Sequence, residues 1–168
     1  MTEDWSVRAG AICLHCGGRC CRDANPPLSE RCYHRLVGEG VPEDSFEWRG
    51  YHAIRARRDG SCIFCNGNRC SIHGIKPETC RAGPFTFDVK GDSIGIFLKY
   101  ETACPVAGLL REVPEAYEHQ FALAKKSIAH LVADLTDKEL SAICSIEEPE
   151  TEKVAEIPRG YADHDYRH

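Results

Sequence analysis

The stretch Cys13-Leu-His-Cys16-Gly-Gly-Arg-Cys20-Cys21 places four thiols in one short run. A second run, Cys62-Ile-Phe-Cys65, is followed by Cys70, Cys80 and Cys104, so that nine of the eleven cysteines fall in these two groups. Two cysteines separated by two residues form a short loop whose sulfurs reach a single metal ion, and this is the spacing of thiolate metal sites. The sequence therefore predicts a chain organised around metal held by sulfur.

The composition of the chain favours an intracellular, metal-binding use of these thiols. A length of 168 residues suits one domain. The first residues lack the basic and apolar segments of a secretory signal, and no apolar run is long enough to span a membrane. We therefore expect a cytoplasmic protein without a membrane partner. In a reducing compartment, clustered cysteines are more often ligands or redox groups than disulfides.

Three elements are readable from local patterns. Ser29 is a good helix N-cap and predicts a short helix to about Val37. Apolar residues alternate on both sides of Lys90-Gly91-Asp92-Ser93, which predicts a hairpin with one apolar face. A long helix is predicted from Pro114 to Leu135. The core positions expected from these patterns are Phe85, Phe87, Val89, Ile94, Ile96 and Leu98 in the hairpin, and Phe121, Ala124, Ile128, Leu131, Val132 and Leu135 in the helix.

The expected fold class is α+β: a small single domain with cysteine-rich metal-binding loops, a β-hairpin and one long C-terminal helix. Residues 1–145 are assigned to this cysteine-cluster metal-binding domain, with residues 1–11 as a short lead-in. Residues 43–58 fit helix and strand equally well. Thr136 and Glu139 form a capping box that starts one further short helix. Residues 146–168 are assigned to an acidic, flexible tail because charged and polar residues dominate there.

The second run contains more than cysteines. Cys70-Ser-Ile-His73 precedes Pro77-Glu-Thr-Cys80-Arg81, and Pro84-Phe85 follows closely. From Cys13 to Pro105 the chain resembles the YkgJ-type cysteine-cluster family, a zinc- or iron-chelating domain named after its CxxCxxCC signature. The resemblance implies that the metal ligands are Cys13, Cys16, Cys20, Cys21, Cys62, Cys70, Cys80 and Cys104. Eight thiolates are enough for one or two centres of zinc, iron or an iron–sulfur cluster.

Some cysteines and histidines stand outside that pattern. Cys65 lies where the family has an apolar residue, so we expect it not to bind metal although its spacing from Cys62 is ideal. Cys32 and Cys144 are interpreted as small buried apolar residues. The role of His73 stays open between a ligand and a neighbour of the cluster.

The adjacent pair Cys20 and Cys21 has a special position in the signature. Side chains of neighbouring residues diverge in extended backbone. We therefore expect the two sulfurs to serve different metal atoms, either in two centres or within one cluster.

Three functions remain compatible with the sequence. The first is a metal-binding protein that coordinates zinc or an iron–sulfur or iron centre through clustered thiolates, with or without a redox role. The second is a metal-dependent or redox enzyme, since members of the family have been described as iron–sulfur oxidoreductases, although no catalytic residue is identifiable here. The third is a structural zinc module that binds a protein or nucleic-acid partner through the arginine-rich residues 49–58. The net charge of −5 and the absence of interleaved aromatic residues disfavour nucleic acid.

Overall fold

The computed structural model describes residues 4–16, 26–67, 69–145 and 150–161, and it confirms the α+β class. The helices in these ranges are α1 (Trp5–Cys16), α2 (Glu30–Gly38), α3 (Glu78–Ala82), α4 (Pro105–Glu112), α5 (Pro114–Asp134) and α6 (Asp137–Cys144). The strands are β1 (Pro27–Leu28), β2 (Phe46–Trp48), β3 (His52–Ile54), β4 (Cys65–Asn66), β5 (Arg69–Cys70), β6 (Phe85–Lys90), β7 (Ser93–Lys99) and β8 (Thr151–Pro158). None of the described helices combines the length and apolar character needed to cross a bilayer.

The larger of two cores lies between the antiparallel sheet β6–β7–β8 and the helices α4 to α6. The predicted hairpin is confirmed: β6 pairs with β7, with Phe85 opposite Leu98 and Phe87 opposite Ile96. Ile96 is fully buried, whereas Phe87 and Val89 are partly buried and pack against the same core. The alternation of apolar residues thus marks the side of the sheet that the helices cover.

The predicted long helix is α5, and its apolar stripe is core as expected. Ile128, Leu131 and Val132 are at most 1% exposed. The capping box after it is also present: the Thr136 side chain accepts the Glu139 N–H, and the Glu139 carboxylate accepts the Thr136 N–H. Local side-chain chemistry therefore determines where α6 begins.

Two expectations about the chain ends are wrong. Residues 151–158 are not a flexible tail but form β8, which pairs with β7 and buries Ile157. The charged side chains of this segment lie on its exposed positions, so they do not oppose strand formation. Most of the supposed lead-in belongs to α1, which begins after Asp4, whose carboxylate accepts the Ser6 N–H at 3.0 Å.

The smaller core is formed by α2 and the three-stranded sheet β1–β3–β2. The helix begins as predicted, since the Ser29 hydroxyl accepts the Cys32 N–H at 3.1 Å. The ambiguous residues 43–58 contain a short 3-10 helix, Glu43–Ser45, followed by β2 and β3. Cys62 and Cys70 pack against the edge of this core, which gives the second group of cysteines a folded support.

Candidate metal centre

The segment from Cys62 to Cys70 folds into a tight turn followed by a hairpin. The Cys65 N–H donates to the Cys62 carbonyl at 3.0 Å, which closes the turn. Cys65 then begins β4 and lies opposite Cys70 of β5. Gly67, with a φ of 64°, occupies the left-handed conformation that the hairpin turn needs and that side chains disfavour. We refer to residues 62–70 as the thiol knuckle.

The first sulfur of the thiol knuckle lies near the backbone N–H groups of Phe64 and Cys65 and near the other two thiols. Burial raises the pKa of the Cys62 thiol, these N–H groups oppose that rise, and the neighbouring Cys70 and Cys65 thiols add to it. Several sulfurs that would repel each other as thiolates form an environment that a cation would stabilise.

Arg57 fixes the backbone of the thiol knuckle from the outside. Its guanidinium donates to the carbonyls of Cys62 at 2.8 Å, Cys65 at 2.7 Å and Ile63 at 2.9 Å. An isolated antiparallel β-bridge between Ala56 and Cys62 also joins the segment that carries Arg57 to the thiol knuckle. A planar guanidinium with several donors can hold three carbonyls in one arrangement, so Arg57 maintains the turn that positions Cys62 and Cys65.

Two other arginines of residues 49–58 are also engaged locally. Arg49 pairs with Glu47 at 2.6 Å, and the Arg55 Nε donates to the Phe46 carbonyl at 3.1 Å. Together with those of Arg57, these contacts engage guanidinium groups that binding to nucleic-acid phosphates would require. They give that interpretation no structural support.

Cys80 and Cys104 are carried by segments that leave the same end of the main sheet. Cys80 lies in α3 just before β6, and the buried Cys104 is the N-cap residue of α4 shortly after β7. The Lys99 N–H donates to the Pro84 carbonyl, which extends the pairing of these segments beyond the strands. The antiparallel register therefore brings both cysteines to one end of the sheet.

Cys13 and Cys16, the described cysteines of the first group, lie on α1. Contrary to the expectation of a loop, Cys13 and Cys16 lie in the last turn of α1, where residues three apart are neighbours on one side of the helix. The helix packs against α4. A cleft of about 280 Å³ between them is lined by Cys16, His15 and Pro105, among others. Cys16 thus faces the same cleft as the residue that follows Cys104.

The eight cysteines implied by the family resemblance are only partly located. Cys20 and Cys21 lie outside the described residues. Within residues 4–16, 26–67, 69–145 and 150–161, no three side chains of Cys, His, Asp or Glu form a group able to hold a metal ion. The structure therefore places Cys62 and Cys70 at the thiol knuckle, and Cys16 and Cys104 near the α1–α4 cleft, without a complete ligand set at either place.

Cys32 is buried as predicted, within the smaller core, and its sulfur also lies near two charged side chains. Burial, with the nearby Glu78 carboxylate, raises the pKa of Cys32 to about 12, although the Arg35 guanidinium acts against the rise. Arg35 donates to the Cys32 Sγ at 3.5 Å and to the Ile75 carbonyl at 3.1 Å. One oxygen of Glu78, Oε2, is buried without a hydrogen-bond partner among the described residues. The spacing of the cysteines gave no indication of Glu78, although it stands between Pro77 and Cys80.

Two further residues considered in the sequence are also located by the structure. Cys144 is half-buried at the end of α6, where burial raises its pKa. His73 is exposed in a short 3-10 helix, His73–Ile75. Neither position tests whether the residue binds metal.

Thiols on a hydrogen-bonded turn, and further cysteines at one end of the main sheet, give this protein two groups of candidate metal ligands. The chain belongs to the CxxCxxCC family: the family model, described as "Putative zinc- or iron-chelating domain", matches residues 12–105, more than half of the chain. The comparisons with curated proteins and with solved structures gave no match. The family description supports metal binding as the general function, and the resemblance seen in the sequence is confirmed.

Proposed function

We propose that the protein coordinates zinc or iron, the latter as a single ion or an iron–sulfur cluster, through thiolates of its clustered cysteines. The observation that carries the proposal is the thiol knuckle, in which a hydrogen-bonded turn and the β4–β5 register bring Cys62, Cys65 and Cys70 into one short folded segment. Clustered thiols of this kind, as thiolates, are the ligands of zinc and of iron–sulfur centres.

The proposed ligands are the family-matching cysteines. Cys62 and Cys70 come from the thiol knuckle, and Cys80 and Cys104 come from the end of the main sheet. Cys13 and Cys16 join from α1, and Cys20 and Cys21 follow that helix in the sequence. Bound zinc would crosslink these segments, whereas an iron–sulfur cluster would in addition carry electrons.

The chemistry of the donors fits both metals. Thiolates are soft ligands that suit zinc and iron–sulfur clusters alike. The paired positions of Cys65 and Cys70 and the clamp by Arg57 give the backbone of the knuckle a defined geometry in advance of metal binding. Preorganisation of this kind lowers the entropy lost when a metal binds.

Elemental analysis and a visible spectrum of anaerobically purified protein test the proposal. We expect stoichiometric zinc in a colourless protein, or iron with absorption in the visible range and, for a cluster, matching sulfide. Cys62→Ser should lose metal, and Cys144→Ser, which changes a half-buried thiol of α6, should not. A wild-type protein with neither zinc nor iron above background would refute the proposal.

A further inference from the structure

We propose that Cys65 is a third thiolate donor beside Cys62 and Cys70, an inference that rests on the proposed function and goes beyond the family's ligand pattern. On the family resemblance alone, Cys65 is not expected to be a ligand, because an apolar residue is usual at this position of the family. Three features of the thiol knuckle argue for the opposite assignment.

The first feature is the register of the hairpin. Cys65 is paired directly with Cys70, and Asn66 with Arg69. Residues directly opposite in an antiparallel pair project to the same face, with Cβ atoms typically about 4.5–5.5 Å apart. Cys65 and Cys70 are half-buried, whereas Asn66 and Arg69 are exposed. The two cysteines therefore share the inner face of the hairpin.

The second feature connects Cys65 with Cys62. The Cys65 N–H donates to the Cys62 carbonyl at 3.0 Å. Arg57 donates to the carbonyls of both cysteines. The backbone positions of the two residues are thus fixed relative to each other by contacts that do not involve the Cys65 side chain.

The third feature is the weak hydrogen bond that the Cys65 side chain makes. Its thiol donates to the Gly67 carbonyl at 3.4 Å, and a thiol is a weak donor. So weak a bond is little hindrance to rotation of the Cys65 side chain about its Cα–Cβ bond, and such a rotation leaves the backbone unchanged. As the structure describes them, the three thiols do not form a ligand group.

A packing role for Cys65 makes a different prediction from a ligand role. An apolar side chain such as Leu, the residue type of the family pattern, can replace a packed thiol but cannot bind metal. Cys65→Leu and Cys65→Ser are therefore compared with Cys62→Ser and with the control Cys144→Ser. Circular dichroism confirms that each variant is folded before metal is added.

Cobalt(II), which reports on thiolate ligands by charge-transfer absorption in the near ultraviolet, is added to the metal-free proteins. We expect both Cys65 variants to lower the absorption per bound cobalt and to weaken binding by about tenfold or more, as loss of ligand-sphere contacts does. Wild-type absorption and affinity in Cys65→Leu, or no charge-transfer band in the wild-type protein, would overturn the inference. If Cys62→Ser loses metal while Cys65→Leu keeps it, the inference alone fails. If neither variant loses metal, the thiol knuckle is not a metal site and the inference fails with it. If the wild-type protein binds no metal, the proposed function fails as well.

Discussion

Replacement of Arg57 by glutamine should weaken metal binding although Arg57 itself cannot be a ligand. The change removes three guanidinium-to-carbonyl hydrogen bonds, to Cys62, Ile63 and Cys65. A hydrogen bond contributes about 0.5–1.5 kcal/mol net, and the exposure of Arg57 places these bonds at the low end. Together, the three bonds contribute about 1.5 kcal/mol to the free energy that holds the thiol knuckle in its folded geometry. Since about 1.4 kcal/mol corresponds to a factor of ten, we expect metal affinity to fall about tenfold.

Competition for zinc between the protein and a chromophoric chelator, at one pH and salt concentration, measures this loss. Arg57→Lys should fall between Arg57→Gln and wild type, because lysine keeps the charge but not the forked donors. Arg58→Gln changes the adjacent exposed arginine and serves as the control. An affinity of Arg57→Gln within twofold of wild type, or an equal loss in Arg58→Gln, would refute the reasoning.

Three further predictions concern the core and the remaining thiols. Leu131→Ala should lower the free energy of unfolding in urea by about 2–5 kcal/mol, because the side chain is fully buried. Leu123→Ala, on the exposed side of α5, should lower it by less than about 1 kcal/mol, and equal losses would contradict the core assignment. Cys32, with its pKa raised from 9.0 to about 12, should resist an aromatic disulfide reagent at pH 8.5, and rapid modification in the folded protein would contradict the raised pKa. The contribution of Cys32 to the free energy of unfolding should be complete below pH 9 and disappear as the pH rises toward 12. Cys20→Ser and Cys21→Ser should each reduce the metal count per chain, and a wild-type count in either variant would show that the two sulfurs do not serve different metal atoms.

Elements that depend on local chemistry were predictable from the sequence, and elements that depend on distant pairing were not. Ser29 and Thr136 cap their helices with side-chain hydrogen bonds to residues three positions ahead, so the signal is contained in a few residues. β8 owes its structure to pairing with β7 and contributes only one buried residue, Ile157, so its sequence resembles a polar tail. α1 has no buried residue and therefore no apolar stripe to reveal it.

The features of the candidate site are likewise of two kinds, those that cysteine spacing predicts and those that only the folded chain determines. Cysteine spacing predicted a tight loop for both CxxC pairs, which holds for Cys62 and Cys65 but not for Cys13 and Cys16, because α1 continues through them. The register that sets Cys65 opposite Cys70, and the reach of Arg57 to the knuckle carbonyls, are properties of the folded chain. No spacing rule could have provided them.

X-ray absorption at the edge of the bound metal tests the central claim most directly, because it counts the atoms that surround the metal. For zinc, the account predicts a first shell dominated by sulfur at about 2.3 Å in the wild-type protein and fewer sulfurs in Cys62→Ser. A shell dominated by nitrogen or oxygen at about 2.0–2.2 Å would contradict it, since the clustered cysteines would then not be the ligands.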